Sequence, residues 1–171
     1  MRAKVFLTLL SLTTAGSSQE GPSPLPNCPV EAEHYMIFND TEHNVNFFGD
    51  RMSLAPMSAM EVAEVECLLL AFHDQCMRGT TAFRDSLQHA SKGRVTQNFV
   101  MVRLNEAHRQ YQAGHDRKGK LLVYVNGLCR PTDDRWKQDW VFFHDGGPCY
   151  WHAVVNLTDR RIERLVVNGF G

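Results

Sequence analysis

The sequence predicts an α+β domain, with one main amphipathic helix packed on a four- to five-stranded antiparallel meander. Three observations carry that expectation. One long stretch, "EVAEVECLLLAFHDQC", spaces its apolar residues three and four apart, as one face of a helix requires. After Arg109, five short β-rich segments follow one another, separated by polar turn signals. A chain of 171 residues suits one domain with a real core and is too short for two large ones. A helix followed by a run of strands places the helix on one face of a curved sheet.

The chain opens with "MRAKVFLTLLSLTTAGSSQEG": Arg2 and Lys4, an apolar run from Val5 to Leu12, then small residues. That order predicts a secretory signal peptide over residues 1–18. The run is too short for a bilayer, which takes about 20 apolar residues, and no later segment is long enough either. The expectation is a secreted or periplasmic protein with no membrane span. The 18 basic and 19 acidic side chains leave a net charge of −1, and loss of Arg2 and Lys4 with the leader makes it −3. Basic residues are scattered, and "DRKGK" at 116–120 reads as a solvated turn, so nucleic acid is excluded as a partner.

Residues 19–52 are expected to form an extended N-terminal arm, proline-rich in "QEGPSPLPN" and irregular beyond it, with room for one short strand or turn. The single folded domain then covers residues 53–171. Its helix starts after "APMS", where Ser58 and Glu61 make a capping box and Met57 and Val62 occupy the staple positions. Val62, Val65, Leu69, Phe72 and Cys76 form the buried stripe, Gly79 supplies a stop, and Glu61, Glu64 and Glu66 fall on the wet side. Residues 80–104 are less regular. "AFRDSLQHAS" suits a second short helix, and "RVTQNFVMVRL" a strand or the helix's continuation.

The strand candidates are "RQYQAGH", "KLLVYVNGL", "RWKQDWVFFH", "CYWHAVVNL" and "RIERLVVNG". With residues 145–148 as a hairpin loop, His144 faces Cys149, Phe142 faces Trp151, Trp140 faces Ala153 and Trp136 faces Leu157, collecting the large apolar groups on one face. The other face, with Tyr150 and His152, is mixed and is a candidate binding surface. In this register His144 and His152 lie on opposite faces and cannot share a metal ion. His34 and His43 lack ligand spacing, and no Cys/His pattern suits zinc, so neither metal nor cofactor is expected. No phosphate loop, GxSxG elbow or HExxH is present.

The cysteines at 28, 67, 76, 129 and 149 imply one or two disulfides and an odd thiol, and fifteen two-bridge patterns are open. Cys67, off the buried stripe, is a candidate for an exposed thiol or a bridge to the arm. A Cys129–Cys149 bridge is disfavoured in a simple meander, which sets the two about 25 Å apart, whereas a disulfide needs Cα atoms within about 7 Å. Cys149 beside His144 is a candidate nucleophile and base, although no third orienting group or oxyanion donor accompanies them. Acceptor motifs for N-glycosylation occur at Asn39 and Asn156, the second inside a strand.

The segments "LAPMSAMEVAEVECLL", "HRQYQAG", "LLVYVNGLC", "W....VFFHDGGPCYWHAVVNLT" and "LVVNGFG" together resemble a family of small exported bacterial proteins of uncharacterised function. The resemblance runs from Leu54 to Gly171 and implies a secreted helix-plus-sheet domain, without an activity or catalytic residue to transfer. A fainter similarity is to cystatin-type protease inhibitors, and the implied architecture is cystatin-like or NTF2-like. "QYQAG", Gln110 to Gly114, is similar to the inhibitors' QxVxG loop, but Gln112 replaces the valine and no Pro-Trp loop follows. The plain reading of the same residues is a strand ending in a turn. The leading functional expectation is an exported noncatalytic domain that binds a protein, peptide or cell-surface component, with Gln110, Gly114, Tyr150 and His152 as candidate contacts. The alternatives are a cystatin-type inhibitor and a Cys149–His144 hydrolase; oligomeric state is left open.

Overall fold

The structure, a computed structural model, describes Cys28 and residues 32–39, 53–90, 97–129, 131 and 133–169. The predicted signal peptide, the proline-rich leader and His43 lie outside the described residues. The elements are β1 (Tyr35–Ile37), β2 (Ser53–Ala55), α1 (Ala59–Arg78), α2 (Thr81–Ala90), β3 (His108–His115), β4 (Leu121–Leu128), β5 (Tyr150–Asn156) and β6 (Arg161–Val167), with short 3-10 turns between them. The sheet has six strands in the order β1-β3-β4-β5-β6, and β2 also pairs with β3. β1 runs parallel to the first half of β3, Tyr35 opposite Arg109, while β2 is antiparallel to the second half, Leu54 opposite Gly114. Residues 35–37 of the N-terminal arm thus supply an edge strand. The remaining pairings are antiparallel.

One expected strand is absent. Residues 136–144 form none; β4 pairs directly with β5, so the hairpin that set His144 opposite Cys149 and Trp136 opposite Leu157 does not exist. The 97–101 stretch is a 3-10 turn, neither strand nor continued helix, whereas α2 forms as predicted.

Helix α1 begins as its sequence dictates. Glu61 N donates to Ser58 Oγ at 3.4 Å and Ser58 N donates to Glu61 Oε2 at 2.7 Å, closing the capping box. Val62, Val65 and Leu69 pack on Tyr111, Ala113, Val123, Val125, Trp151, Ala153, Val155 and Leu165, the alternate residues of four strands. Phe99, Val102 and Leu104 complete this core. Gly127 opposes Trp151 across β4 and β5, and a Cβ there would lie 2.0 Å from the indole. Gly79 ends the helix with an ordinary φ of −71°, and what requires glycine is Phe83, whose ring a Cβ would meet at 2.4 Å.

Glu66 corrects the expected wet side. It is 2% exposed. Tyr111 donates its hydroxyl to Glu66 Oε1 at 2.6 Å, and Arg109 Nε lies 2.9 Å from the same oxygen, off the line of a good hydrogen bond. Arg109 also donates to the carbonyls of Ala107, at 2.7 Å, and Leu104. Burial raises the Glu66 carboxyl pKa above its ordinary value, a shift that Arg109 and Tyr111 only partly offset. A buried ion pair of this kind adds little net stability, but losing either member would strand a charge.

Cys67 bridges to Cys28, Cα to Cα 5.2 Å, tying the arm to α1 as the sequence allowed. Cys76 is buried as a free thiol. Among the described residues no helix is long and apolar enough to cross a membrane.

Candidate ligand-binding cleft

The sheet face turned away from α1 carries Gln110, Gln112, Tyr124, Asn126, Leu128, Tyr150 and His152, by the same alternation that puts Tyr111 and Val125 in the core. The chain between β4 and β5 folds back over this face. Leu128 and Tyr150 are the last pair of the β4–β5 ladder, so Cys129 and Cys149 fall opposite each other one step beyond it. They are disulfide-bonded, with Cα atoms 4.8 Å apart. The 25 Å expectation failed because it placed a strand between β4 and β5.

Two amides of the sheet hold residues 136–141 of the loop down. Gln110 Nε2 donates to the carbonyls of Trp136 and Asp139, both at 2.7 Å, and Gln110 Oε1 accepts from Val141 N at 3.2 Å and Asn126 Nδ2 at 2.8 Å. Asn126 Nδ2 also donates to Val141 O at 2.8 Å. Gln110 and Asn126 are opposite each other in the β3–β4 register and both are buried, so this network gives the loop backbone the partners a strand would have given it. Asp133 starts the turn at 134–137 by accepting from Arg135 N at 3.0 Å.

The pinned loop brings its aromatic side chains together. Trp140 packs on Phe38 at 4.8 Å between centroids and edge-on to Tyr124 at 5.7 Å, while Phe143 stacks on Tyr150 at 3.9 Å. Trp136, Trp140, Phe142, Phe143 and Tyr150, with Leu128 and Pro131, line a cleft of about 500 Å³. Phe142 and Phe143 stay 46% and 43% exposed at its mouth. Its charged lining is Asp133, Arg135 and Asp139. Arg135 Nε donates to Asp133 Oδ2 at 2.9 Å, which lowers the Asp133 carboxyl pKa, so these two charges largely answer each other.

Tyr150 lines the cleft. His152, half-buried on the same face, stacks on Tyr124 at 6.1 Å, and burial, reinforced by Arg164, lowers its pKa to about 4. Gln110 supports the cleft from below; it sits within β3, fully buried, so residues 110–114 are the strand of their plain reading and not the loop that the inhibitor resemblance implied. Gly114 is buried beside Leu54 and Leu122 in the far half of β3. Cys149 is in a disulfide, and so is no thiol nucleophile for His144, which stands exposed. Asn156 is buried, with its amide donating to Glu163 Oε1 at 2.8 Å, so it presents no glycan acceptor. Among the described residues no three metal-ligating side chains converge.

The sequence reading missed Trp136, Trp140 and Phe142 as cleft residues because their even spacing, four and then two, mimics one face of a strand. The signal that separates the cases is composition. "RWKQDW" has no β-branched residue and is flanked by Pro131 and an N-capping Asp133, a poor strand and a good turn.

No protein-family model matches this chain, and no curated protein or solved structure is similar to it at a significant level. Fold and site together define an α+β domain, one main helix on a mostly antiparallel sheet, with an aromatic cleft closed by a disulfide on the opposite face.

Proposed function

We propose that this is an exported, noncatalytic binding domain whose ligand site is the aromatic cleft, and that it takes an extended peptide presenting proline or aliphatic side chains. The observation that carries the reading is the convergence of five aromatic side chains on one cleft, of a size suited to a few residues of ligand. Aromatic grooves hold such segments by apolar contact at low entropic cost. Hydroxyl-rich ligands such as sugars are less well served. The loop carbonyls of Trp136, Asp139 and Val141 already accept from Gln110 and Asn126, and Asp133 and Arg135 bind each other. Export rests on the leader at residues 1–18 and agrees with two disulfides.

The test is a titration of a synthetic library of proline-containing decapeptides, followed by tryptophan fluorescence and calorimetry. Wild type should bind a subset, and Trp140→Ala and Phe142→Ala should each weaken that binding by about tenfold or more. Binding that survives both substitutions places the ligand elsewhere, and a library with no binders refutes the peptide reading.

A further inference from the structure

We propose that Cys129–Cys149 is an exchangeable latch: a protein dithiol reduces it, the loop over residues 133–143 lifts from the sheet, and exchange with a protein disulfide, itself reduced to a dithiol, recloses the cleft. The two bridges of this protein differ in setting. In the Cys28–Cys67 bridge Cys28 is half-buried, while Cys67, within α1, is buried at 4% exposure. Cys129 and Cys149 are both half-exposed and form the wall of an open cavity of about 610 Å³, with Met101, Arg103, Glu106, Pro148 and Tyr150 around them. Arg103 and Met101 are exposed there, so the cavity beside the bridge opens to solvent. Exchange rates follow access to the sulfur as well as thiolate content.

The position of the bridge gives the exchange its consequence. It closes the chain between β4 and β5, and every cleft-lining residue except Leu128 and Tyr150 lies inside that closure. In the reaction a thiolate of the reductant attacks one cysteine sulfur, the S–S bond breaks, and the other cysteine leaves as a thiolate. The reductant's second thiol then resolves the mixed disulfide. Two electrons and two protons end on Cys129 and Cys149, and the reductant departs as a disulfide. Freed of the bridge, the loop keeps its hydrogen bonds to Gln110, Asn126 and Asn168 and its aromatic contacts, and it lifts when these break together, with no covalent tie to hold it.

The effect on ligand binding rests on the proposed function; the exchange chemistry does not. Folded wild-type protein is treated with graded dithiothreitol, alkylated, and its cysteines mapped by mass spectrometry. Cys129 and Cys149 should label at about tenfold lower reductant than Cys28 and Cys67, with the far-ultraviolet circular dichroism unchanged. Amide hydrogen exchange over residues 133–143 should then rise, while β3 and β5 stay protected. The Cys129→Ser/Cys149→Ser variant should show the same exchange pattern without reductant. The proposal is overturned if the bridges reduce together with loss of structure, if Cys28–Cys67 reduces first, or if residues 133–143 exchange no faster after selective reduction. Should the double variant not fold, labelling and exchange of the wild type still decide. None of these readouts involves a ligand, so a cleft that binds no peptide leaves the latch standing, and a failed latch leaves the peptide titration to be judged on its own.

Discussion

His152, half-buried, and Glu66, fully buried, are ionisable groups whose burial pulls stability in opposite directions with pH. The folded chain holds His152 at a pKa of about 4 against an ordinary 6.5, through burial and then Arg164. Between those values the unfolded chain binds a proton that the folded chain refuses, so this histidine makes stability rise with pH across the window and fall on acidification. Glu66 is raised above its ordinary 4.5, chiefly by burial. The folded chain keeps its proton longer than the unfolded one, so Glu66 makes stability fall as pH rises above that value. Thermal unfolding of wild type and His152→Gln between pH 4 and 7 separates the two. The variant should lose the rising component and keep the falling one, and parallel curves would show that another group sets the acid limb. Neither shift was legible in the sequence. Glu66 lies about 40° from Val62 on a helical wheel, at the edge of the apolar stripe, and a wheel does not tell a side chain at the edge of a covered face from one in water.

At the scale of elements, α1 was legible because everything that makes it is local: a cap, a staple, a stripe and a stop within residues 57–79. Four of the five expected long strands were legible by alternation. The fifth, residues 136–144, alternates equally well but has no neighbour to pair with, and Gln110 and Asn126 replace the missing ladder. Gln110→Ala therefore tests whether the loop is held by that network. It removes the partner of two loop carbonyls and of Val141 N, and should destabilise the protein by about 2–3 kcal/mol. Urea denaturation reads the loss, and a red shift in the emission of native protein reports Trp136 and Trp140 becoming wetter. Wild-type stability and emission would mean that the Cys129–Cys149 bridge and the aromatic contacts suffice.

For the molecule as a whole, the first bridge and the parallel strand β1 fasten the N-terminal arm to a domain that would otherwise begin near β2. Cys28 and Cys67 are separated by 39 residues in sequence. Replacing both by serine should lower stability by about 2–4 kcal/mol, mainly by freeing the unfolded chain. A lower urea midpoint is the expected result; an unchanged one would show that β1 pairing alone fastens the arm.

By itself the sequence determined the helix, its cap, the four long strands and the buried face of the strand at 150–156, because those follow from spacings of 3.6 and 2 within a few residues. It also left Cys67 open between an exposed thiol and a bridge to the arm, and put Cys76 on the buried stripe. Only the tertiary structure decided that β4 neighbours β5, and that single adjacency settled the rest. It brought Cys129 to Cys149, turned the expected strand at 136–144 into a loop, put Gln110 beneath that loop, and gathered the aromatic cleft. Adjacency of strands is a long-range choice made by the whole core, and alternation along one segment is satisfied equally by a paired strand and by a loop laid across a sheet.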